Sequence, residues 1–278
     1  MKMIPASEYS VEELTALYNE TRIDYVVPMP MTAHRLQEYI DIYDIDLNAS
    51  WVALIDGQEA GLCMTGLRAH RAWITRLGVL PTGRRRGTGQ ALMESCIASA
   101  EDAGVAEIQL EVITGNAPAY RLFSKLGFEE LRTLLILRRP PSKPTQGPSS
   151  GLEPVWLDEE EALNALTTRP WASAWTNDVE SVVNAGRIQG LLLEDHQQLG
   201  GWLSYKQTAL QITRVIIGPT TSECQAPAYD LLYYLHQAYP TFDTVIENIP
   251  ADVPHLEDVL AHGYVESFSR VEMLRTVG

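Results

Sequence analysis

The sequence predicts a mixed α/β fold that occurs twice along the chain, and three stretches carry that prediction. The first covers residues 73–90: a β-rich apolar run ends at Leu80, Pro81 stops it, three arginines and two glycines follow, and a helical apolar pattern then takes over at Leu92, Met93, Cys96, Ile97 and Ala100. The second is residues 140–151, with four prolines, two glycines and three serines, a composition that neither fills a hydrogen-bonded ladder nor buries apolar area. The third is an internal repeat. Residues 212–220 lie over 74–82 at an offset of 138, residues 247–254 over 111–118 at an offset of 136, and Gly263-Tyr264 over Gly127-Phe128. A repeat of this length with one two-residue gap indicates a duplicated domain. The expected organisation is a first domain over 1–139, a linker over 140–151 and a second domain over 152–278.

Taken in order, Ser10 and Glu13 form a capping box with Tyr9 and Leu14 as its hydrophobic staple, which starts a helix over 11–19. A second helix is expected over 32–43, where Leu36, Tyr39, Ile40 and Tyr43 share one face, and prolines within 20–31 keep the two helices apart. Runs 51–55 and 60–67 flank Asp56-Gly57 and read as a hairpin, and 72–80 supplies the next strand. The following helix spans 88–103 and stops at Gly104, a residue suited to the left-handed turn that ends helices. A strand over 107–113, a helix over 117–126 and a last strand reaching 137 complete the first copy.

Gly87 and Gly89 let the backbone between strand and helix present N–H groups with no Cβ in the way, and the helix that follows adds its positive end, so the loop suits a phosphate. The G-x-G-x-x-G spacing of dinucleotide sites is absent, as is the G-x-x-x-x-G-K spacing of the P-loop. The spacing that fits is Gln or Arg, two residues, Gly, one residue, then Gly or Ala, filled by Arg84, Gly87 and Gly89 after a strand closing on Val79 and Pro81. Beginning 27 residues after Gly89, residues 116–128 read Asn-Ala-Pro-Ala-Tyr-Arg-Leu-Phe-Ser-Lys-Leu-Gly-Phe.

These two motifs, in this order, resemble the acyl-CoA loop and the N-x-x-A-x-x-L-Y-x-x-L-G-F segment of the GCN5-related N-acetyltransferases, the GNAT family. The resemblance implies two acyl-CoA N-acyltransferase domains, each a twisted mixed sheet flanked by helices, with acetyl-CoA as co-substrate. It implies that backbone groups of Leu77, Gly78 and Val79 pair with the pantetheine arm, one N–H polarising the thioester carbonyl. It puts Arg84, Arg85, Arg86, Gly87, Thr88, Gly89 and Gln90 around the phosphates, and Phe123 along the cofactor. Asn116 would contact the cofactor or splay the two strands. Residues 20–31 would cover the acceptor.

Transfer of an acetyl group to an alkylamine, whose pKa is about 10.4, requires a base to take its proton at neutral pH. Glu111, on the strand beside the cofactor strand, resembles the glutamate that serves as base in some ribosomal-protein acetyltransferases of the family. The other reading is a structurally paired carboxylate, and Glu247 occupies the matching place in the second copy. Phe123 stands where the family commonly has the tyrosine that protonates the leaving thiolate, so general acid catalysis from that position is excluded. Tyr120, three residues earlier, could substitute or be an ordinary core or surface tyrosine, and no acid is assigned. The implied function is N-acetylation of a primary amine on a small molecule or a peptide N-terminus. The alternative is a non-catalytic acyl-CoA-binding or interaction module.

Where the first copy has Arg84, Arg85, Arg86, Gly87, Thr88 and Gly89, the second has Ser222, Glu223, Cys224, Gln225, Ala226 and Pro227. A carboxylate beside a pyrophosphate repels it and proline lacks an N–H, so the second copy is expected to be degenerate and the chain to bind one acetyl-CoA.

Composition bounds the rest. Apolar runs such as 134–137 and 191–193 are too short to cross a bilayer, and the N-terminus has no apolar core of signal-peptide length, so a cytoplasmic protein is expected. Cys63, Cys96 and Cys224 set out no disulfide framework, and neither they nor His34 and His70 have metal-ligand spacing, so no metal is expected. The net charge is −15. Residues 1–139 hold 14 Lys and Arg against 18 Asp and Glu, net −4, and residues 140–278 hold 7 against 18, net −11. Such a surface disfavours nucleic acid and anionic lipid and suits either a cationic partner or simple solubility. A monomer or a homodimer fits equally.

Overall fold

In a computed structural model the chain is described at residues 1–24, 27, 30–195, 200–220 and 227–277. It divides into two compact units, residues 1–131 with 271–278, and residues 132–270. Among the described residues no helix is long and apolar enough to cross a membrane.

In the first unit the capping box forms as expected. The Glu13 amide donates to Ser10 Oγ at 3.2 Å and the Ser10 amide to Glu13 Oε2 at 2.8 Å, starting helix α1 (Val11–Thr21). Helix α2 (Ala33–Ile42) begins behind Thr32, whose hydroxyl accepts from the Arg35 amide at 3.2 Å. Both helices bury one apolar face, Leu14, Leu17 and Tyr18 from α1 and Leu36, Tyr39 and Ile40 from α2. The sheet order is β1 (Lys2–Pro5), β2 (Trp51–Ile55), β3 (Gln58–Arg68), β4 (Arg71–Val79), β5 (Glu107–Ile113) and then β12 (Val265–Thr276), whose residues from Val271 onward belong to this unit. Neighbours from β1 to β4 run antiparallel, and β4 and β5 run parallel. Four residues are too few to show an alternating pattern, which is why β1 has no sequence signal.

Helix α3 (Thr88–Asp102) lays Leu92, Met93, Cys96 and Ile97 on the sheet, where they meet Ile74, Ile108 and Met273 in one buried cluster. Gly104 follows with φ of 76°, the expected left-handed exit. Helix α4 (Ala117–Lys125) closes the motif segment, and Phe123 and Phe128 drop into the same cluster.

The second unit repeats the plan. From Arg132 onward, β6 (Glu129–Arg139) leads a sheet ordered β6, β11 (Asp243–Pro250), β10 (Gln211–Pro219), β9 (Gly200–Gln207), β8 (Ile188–Glu194) and β7 (Val155–Leu157). Helices α5 (Glu159–Thr167), α6 (Val179–Ala185), α7 (Ala228–Ala238) and α8 (Leu256–Ala261) complete it. The proline-rich segment is fastened here: Asp230 of α7 accepts from the Ser149 amide at 2.6 Å and the Ser150 amide at 2.8 Å.

One backbone feature recurs. In β4 the register against β3 slips between Thr75 and Gly78, leaving Arg76 left-handed at φ 55°; in β10 the register against β9 slips after Thr213, leaving Arg214 at φ 52°. The two arginines are 138 residues apart, the offset of the sequence repeat.

Just past the first bulge, Gly78 has no room for a side chain, since a Cβ there would stand 2.2 Å from Thr21 Oγ1 and 2.7 Å from Thr21 Cβ. Thr21 is buried and its hydroxyl donates to Tyr18 O at 2.7 Å, so it has little freedom to withdraw. Gly78→Ala should therefore cost about 1–3 kcal/mol, as overpacking does, and lower the urea midpoint of unfolding without changing its slope.

Candidate active site

The parallel register of β4 and β5 covers only Arg71–Trp73 against Glu107–Gln109, and both strands continue past it, β4 to Val79 and β5 to Ile113. The site is assembled around this parting. Leu77 O accepts from the Arg22 guanidinium at 3.0 Å, and Val79 O accepts from Arg84 Nε at 3.2 Å.

Beyond Val79 the chain makes a short 3-10 turn at Pro81–Gly83, and the loop then takes two left-handed positions, Arg85 at φ 61° and Gly87 at φ 81°, before α3 begins. Gly87 is the N-cap of α3, and the first turn of a helix presents backbone N–H groups without intrahelical partners, a feature suited to an anion. Thr88 is buried and its hydroxyl donates to Gly83 O at 2.8 Å, which holds the loop against the helix start. Gly89 faces α4, where a Cβ would stand 3.5 Å from Leu122 Cδ2, an ordinary contact.

The three arginines differ. Arg84 makes a two-pronged pair with Asp24, one prong at 2.6 Å, and this hydrogen bond holds the Asp24 carboxyl below its usual range and raises the Arg84 guanidinium. Arg86 reaches Asp56 at 3.5 Å on the surface, and Arg85 is exposed. Gln90 donates to Glu94 at 2.7 Å and accepts from Lys125 of α4 at 2.9 Å, which ties the two helices beside the loop.

On the far side of the parting, half-buried Glu111 accepts from the Trp73 indole at 3.2 Å. An aromatic group stands around it: Tyr39, Tyr43 and Trp73 have ring centroids 4.7, 5.6 and 6.0 Å apart. The bulge aims Arg76 into this group, its guanidinium 4.2 Å from the Tyr39 ring centroid and donating to Tyr18 Oη at 3.0 Å. Tyr39 shares a 2.7 Å hydrogen bond with Thr75, and burial pushes its phenol well above the ordinary value, so it stays protonated and can only donate or accept as a neutral hydroxyl.

Of the residues singled out in the sequence, 77–79 lie at the end of β4, 84–90 in the loop and first turn of α3 that follow it, and Glu111 on β5 past the paired register. Asn116 caps α4 by accepting from the Ala119 amide at 3.4 Å. Phe123 is buried with its ring 6.3 Å from Phe128 and carries no proton to transfer. Tyr120 is bonded to Glu130, which raises its phenol. Arg22, Asp24, Tyr39, Trp73 and Arg76 were not anticipated. Arg76 could have been, because the repeat preserves it as Arg214; the others carry no local signal. The second copy's loop at 221–226, with Glu223 and Cys224, lies outside the described residues, while Pro227 stands at the start of α7 without a side-chain cap. No group of residues suited to a metal occurs among the described residues, and Cys63 and Cys96 are buried free thiols.

Parted strands, a loop with two left-handed positions and a helix that starts on it define an acyl-CoA N-acyltransferase type of fold. Residues 14–128 match the Acetyltransferase (GNAT) family model, and the chain carries a domain of that family there. It is similar to the ribosomal protein bS18-alanine N-acetyltransferase of Escherichia coli strain K12, 37% identical over 75 residues, which are 27% of this chain and 51% of that protein. The chain thus spans about half the length of this curated relative. Among solved structures it is similar to a GCN5-related N-acetyltransferase from Sphaerobacter thermophilus, with a TM-score of 0.73, 15% identity, and 98% and 93% of the two chains covered. It is also similar to a tandem GNAT protein from the clavulanic acid biosynthesis pathway, with a TM-score of 0.67, 15% identity, and 100% and 98% covered. At such identities these two likenesses establish the fold, here across both units.

The Arg84–Asp24 pair gives a direct check of the loop. A carbon-detected NMR titration should find the Asp24 carboxyl below the usual value near 3.9, and Arg84→Ala should return it to that value. An unchanged titration would mean that the pair does not persist in solution.

Proposed function

We propose that the first unit transfers an acetyl group from acetyl-CoA to a primary amine, on a small molecule or a peptide N-terminus. The observation that carries this is the parting of β4 from β5 with the loop 84–89 at one end and Glu111 at the other. The thioester lies between the strands, with backbone groups of Leu77, Gly78 and Val79 along the pantetheine arm. Arg84, Arg85, Arg86, Gly87, Thr88, Gly89 and Gln90 take the phosphates, with Arg84 exchanging Asp24 for phosphate oxygens. Asn116 fixes the start of α4, and Phe123 is the apolar floor beneath the cofactor.

Glu111 is the general base, and the Trp73 indole holds its carboxylate toward the cleft. It takes the amine proton directly or through water as the nitrogen attacks the thioester carbon, and a backbone N–H of β4 stabilises the oxyanion. The tetrahedral intermediate collapses to the amide and expels the coenzyme A thiolate. With Phe123 where a hydroxyl would stand, water protonates that thiolate, whose pKa near 8.5 makes it a tolerable leaving group. The Escherichia coli relative, named for an alanine of ribosomal protein bS18, favours a peptide N-terminus within the range of acceptors. The surplus of carboxylates over Lys and Arg favours a cationic one. We assign the reaction to the cytoplasm, in keeping with the free thiols of Cys63 and Cys96.

Release of coenzyme A in the presence of a panel of amines and short peptides tests the reading. Turnover with any of them supports it, and tight acetyl-CoA binding with none supports a non-catalytic acyl-CoA-binding module instead. With an acceptor in hand, Glu111→Gln should lower kcat about 100-fold while leaving acetyl-CoA affinity nearly unchanged, and an unaltered kcat would remove the assignment. Calorimetric titration of the whole chain should give one acetyl-CoA per molecule, abolished by Gly87→Glu with Gly89→Glu. A stoichiometry of two would mean that the second unit also holds the cofactor.

A further inference from the structure

We infer that the second unit contains a ligand site of its own, which takes a slender uncharged molecule with an apolar body and one hydroxyl or amide group. It lies where β10 and β11 part. Their parallel register covers only Gln211–Ile212 against Asp243–Thr244, and beyond it opens an empty volume of about 470 Å³, partly continuous with solvent. Every described residue lining it belongs to this unit.

The roof is the segment 171–177, fastened across the opening. Asn177 Nδ2 donates to Glu247 O at 2.8 Å, Asn248 Nδ2 donates to Thr176 Oγ1 at 2.9 Å, and Arg214 from the bulge donates to Thr176 O at 3.1 Å. The cavity is therefore built by the fold. Its walls are largely hydrocarbon and indole, from Trp171, Ile216, Ile246, Ile249 and Val253.

The polar groups decide what fits. Among the described residues two charged side chains reach the lining, and both are engaged: Arg169 donates to Asn177 O at 3.1 Å and to Ser173 Oγ at 2.7 Å, and Glu247 accepts from Arg270 at 3.0 Å. An ionic ligand would lose its hydration here and find its counter-charge already occupied. The aligned loop, residues 222–227, has no arginine, so a phosphate has no charge partner from it either. His255 is different. It is only 7% exposed, it lines the cavity, and its imidazole has no hydrogen-bond partner among the described residues. Burial pushes its pKa down to about 4, so near neutral pH it presents an uncharged imidazole, one nitrogen donating and the other accepting. A hydroxyl or an amide satisfies such a ring, which a pure hydrocarbon leaves wanting.

The linear series 1-hexanol, hexanoate and hexylamine separates these terms at nearly constant shape. In ligand-observed saturation-transfer NMR on the full chain, 1-hexanol should bind at least ten times more tightly than either ion. Nuclear Overhauser contacts should connect its methylenes to the His255 ring of the unaltered protein, a readout independent of any variant. Val253→Trp, which fills the opening, should remove binding, and His255→Phe, which keeps the volume, should weaken 1-hexanol roughly fivefold, the worth of one hydrogen bond. Ions binding as well as the alcohol, no binding of 1-hexanol up to its solubility, or binding without contact to His255 would each overturn the inference. These experiments do not involve acetyl-CoA, so they stand apart from the reading of the first unit.

Discussion

Two parallel strands that separate after two or three residue pairs release backbone N–H and C=O groups that the fold must satisfy elsewhere, because each such group left buried and unpaired costs about as much as a lost hydrogen bond. Each unit solves this differently. In the first, the freed carbonyls of Leu77 and Val79 are taken by guanidinium groups of Arg22 and Arg84, which arrive from loops and leave the space between the strands open. In the second, the carbonyl of Glu247 is taken by the amide of Asn177, which carries its own segment across the gap as a roof. One parting is met by arginine side chains from elsewhere in the unit, and the other is crossed by a segment of the chain itself. The difference rests on which side chains answer the same backbone demand.

The left-handed arginine in each bulge bears on the origin of this geometry. A non-glycine residue with φ near 55° costs roughly 1–2 kcal/mol, and it persists where the surroundings over-determine it. Arg76 and Arg214 both keep the strain although the loops that follow them differ completely in sequence. The bulge thus belongs to the splaying of the sheet and not to phosphate binding. In the first unit its side chain has gained a further place, over the Tyr39 ring beside Glu111.

Much of this was legible in the sequence, for identifiable reasons. Helix starts carry local chemistry, so Ser10 with Glu13 marked the start of α1, and the apolar face of Leu36, Tyr39 and Ile40 marked α2 to within a residue at each end. The Asp56-Gly57 turn marked the β2–β3 hairpin, and Gly104 the end of α3. The loop 84–89 was readable because its arginines and glycines sit at a recognisable spacing between a strand and a helix. What escaped notice depends on contacts distant in sequence. Asp24 meets Arg84 across 60 residues. Trp73 meets Glu111 across 38. Nothing local to either partner reports such a meeting. The assignment of the two last strands was also unreadable, since residues 129–139 and 265–275 are copies of one element at the 136 offset and either could complete either sheet.

That exchange sets an order of events in the life of the chain. Met273 is fully enclosed in the core that α3 builds on the first sheet, and the Val277 amide donates to Ala106 O at 2.9 Å, while Leu137 is enclosed in the core of the second unit. During synthesis, which runs at about 5–20 residues per second, the first unit cannot acquire its last strand until residues 271–277 leave the ribosome. Its edge at β5 stays open for the whole interval, and closing it means joining segments more than 150 residues apart, a slow step in loop-closure terms. The two halves of the chain therefore mature together, and neither half made alone would contain all the strands of a finished sheet.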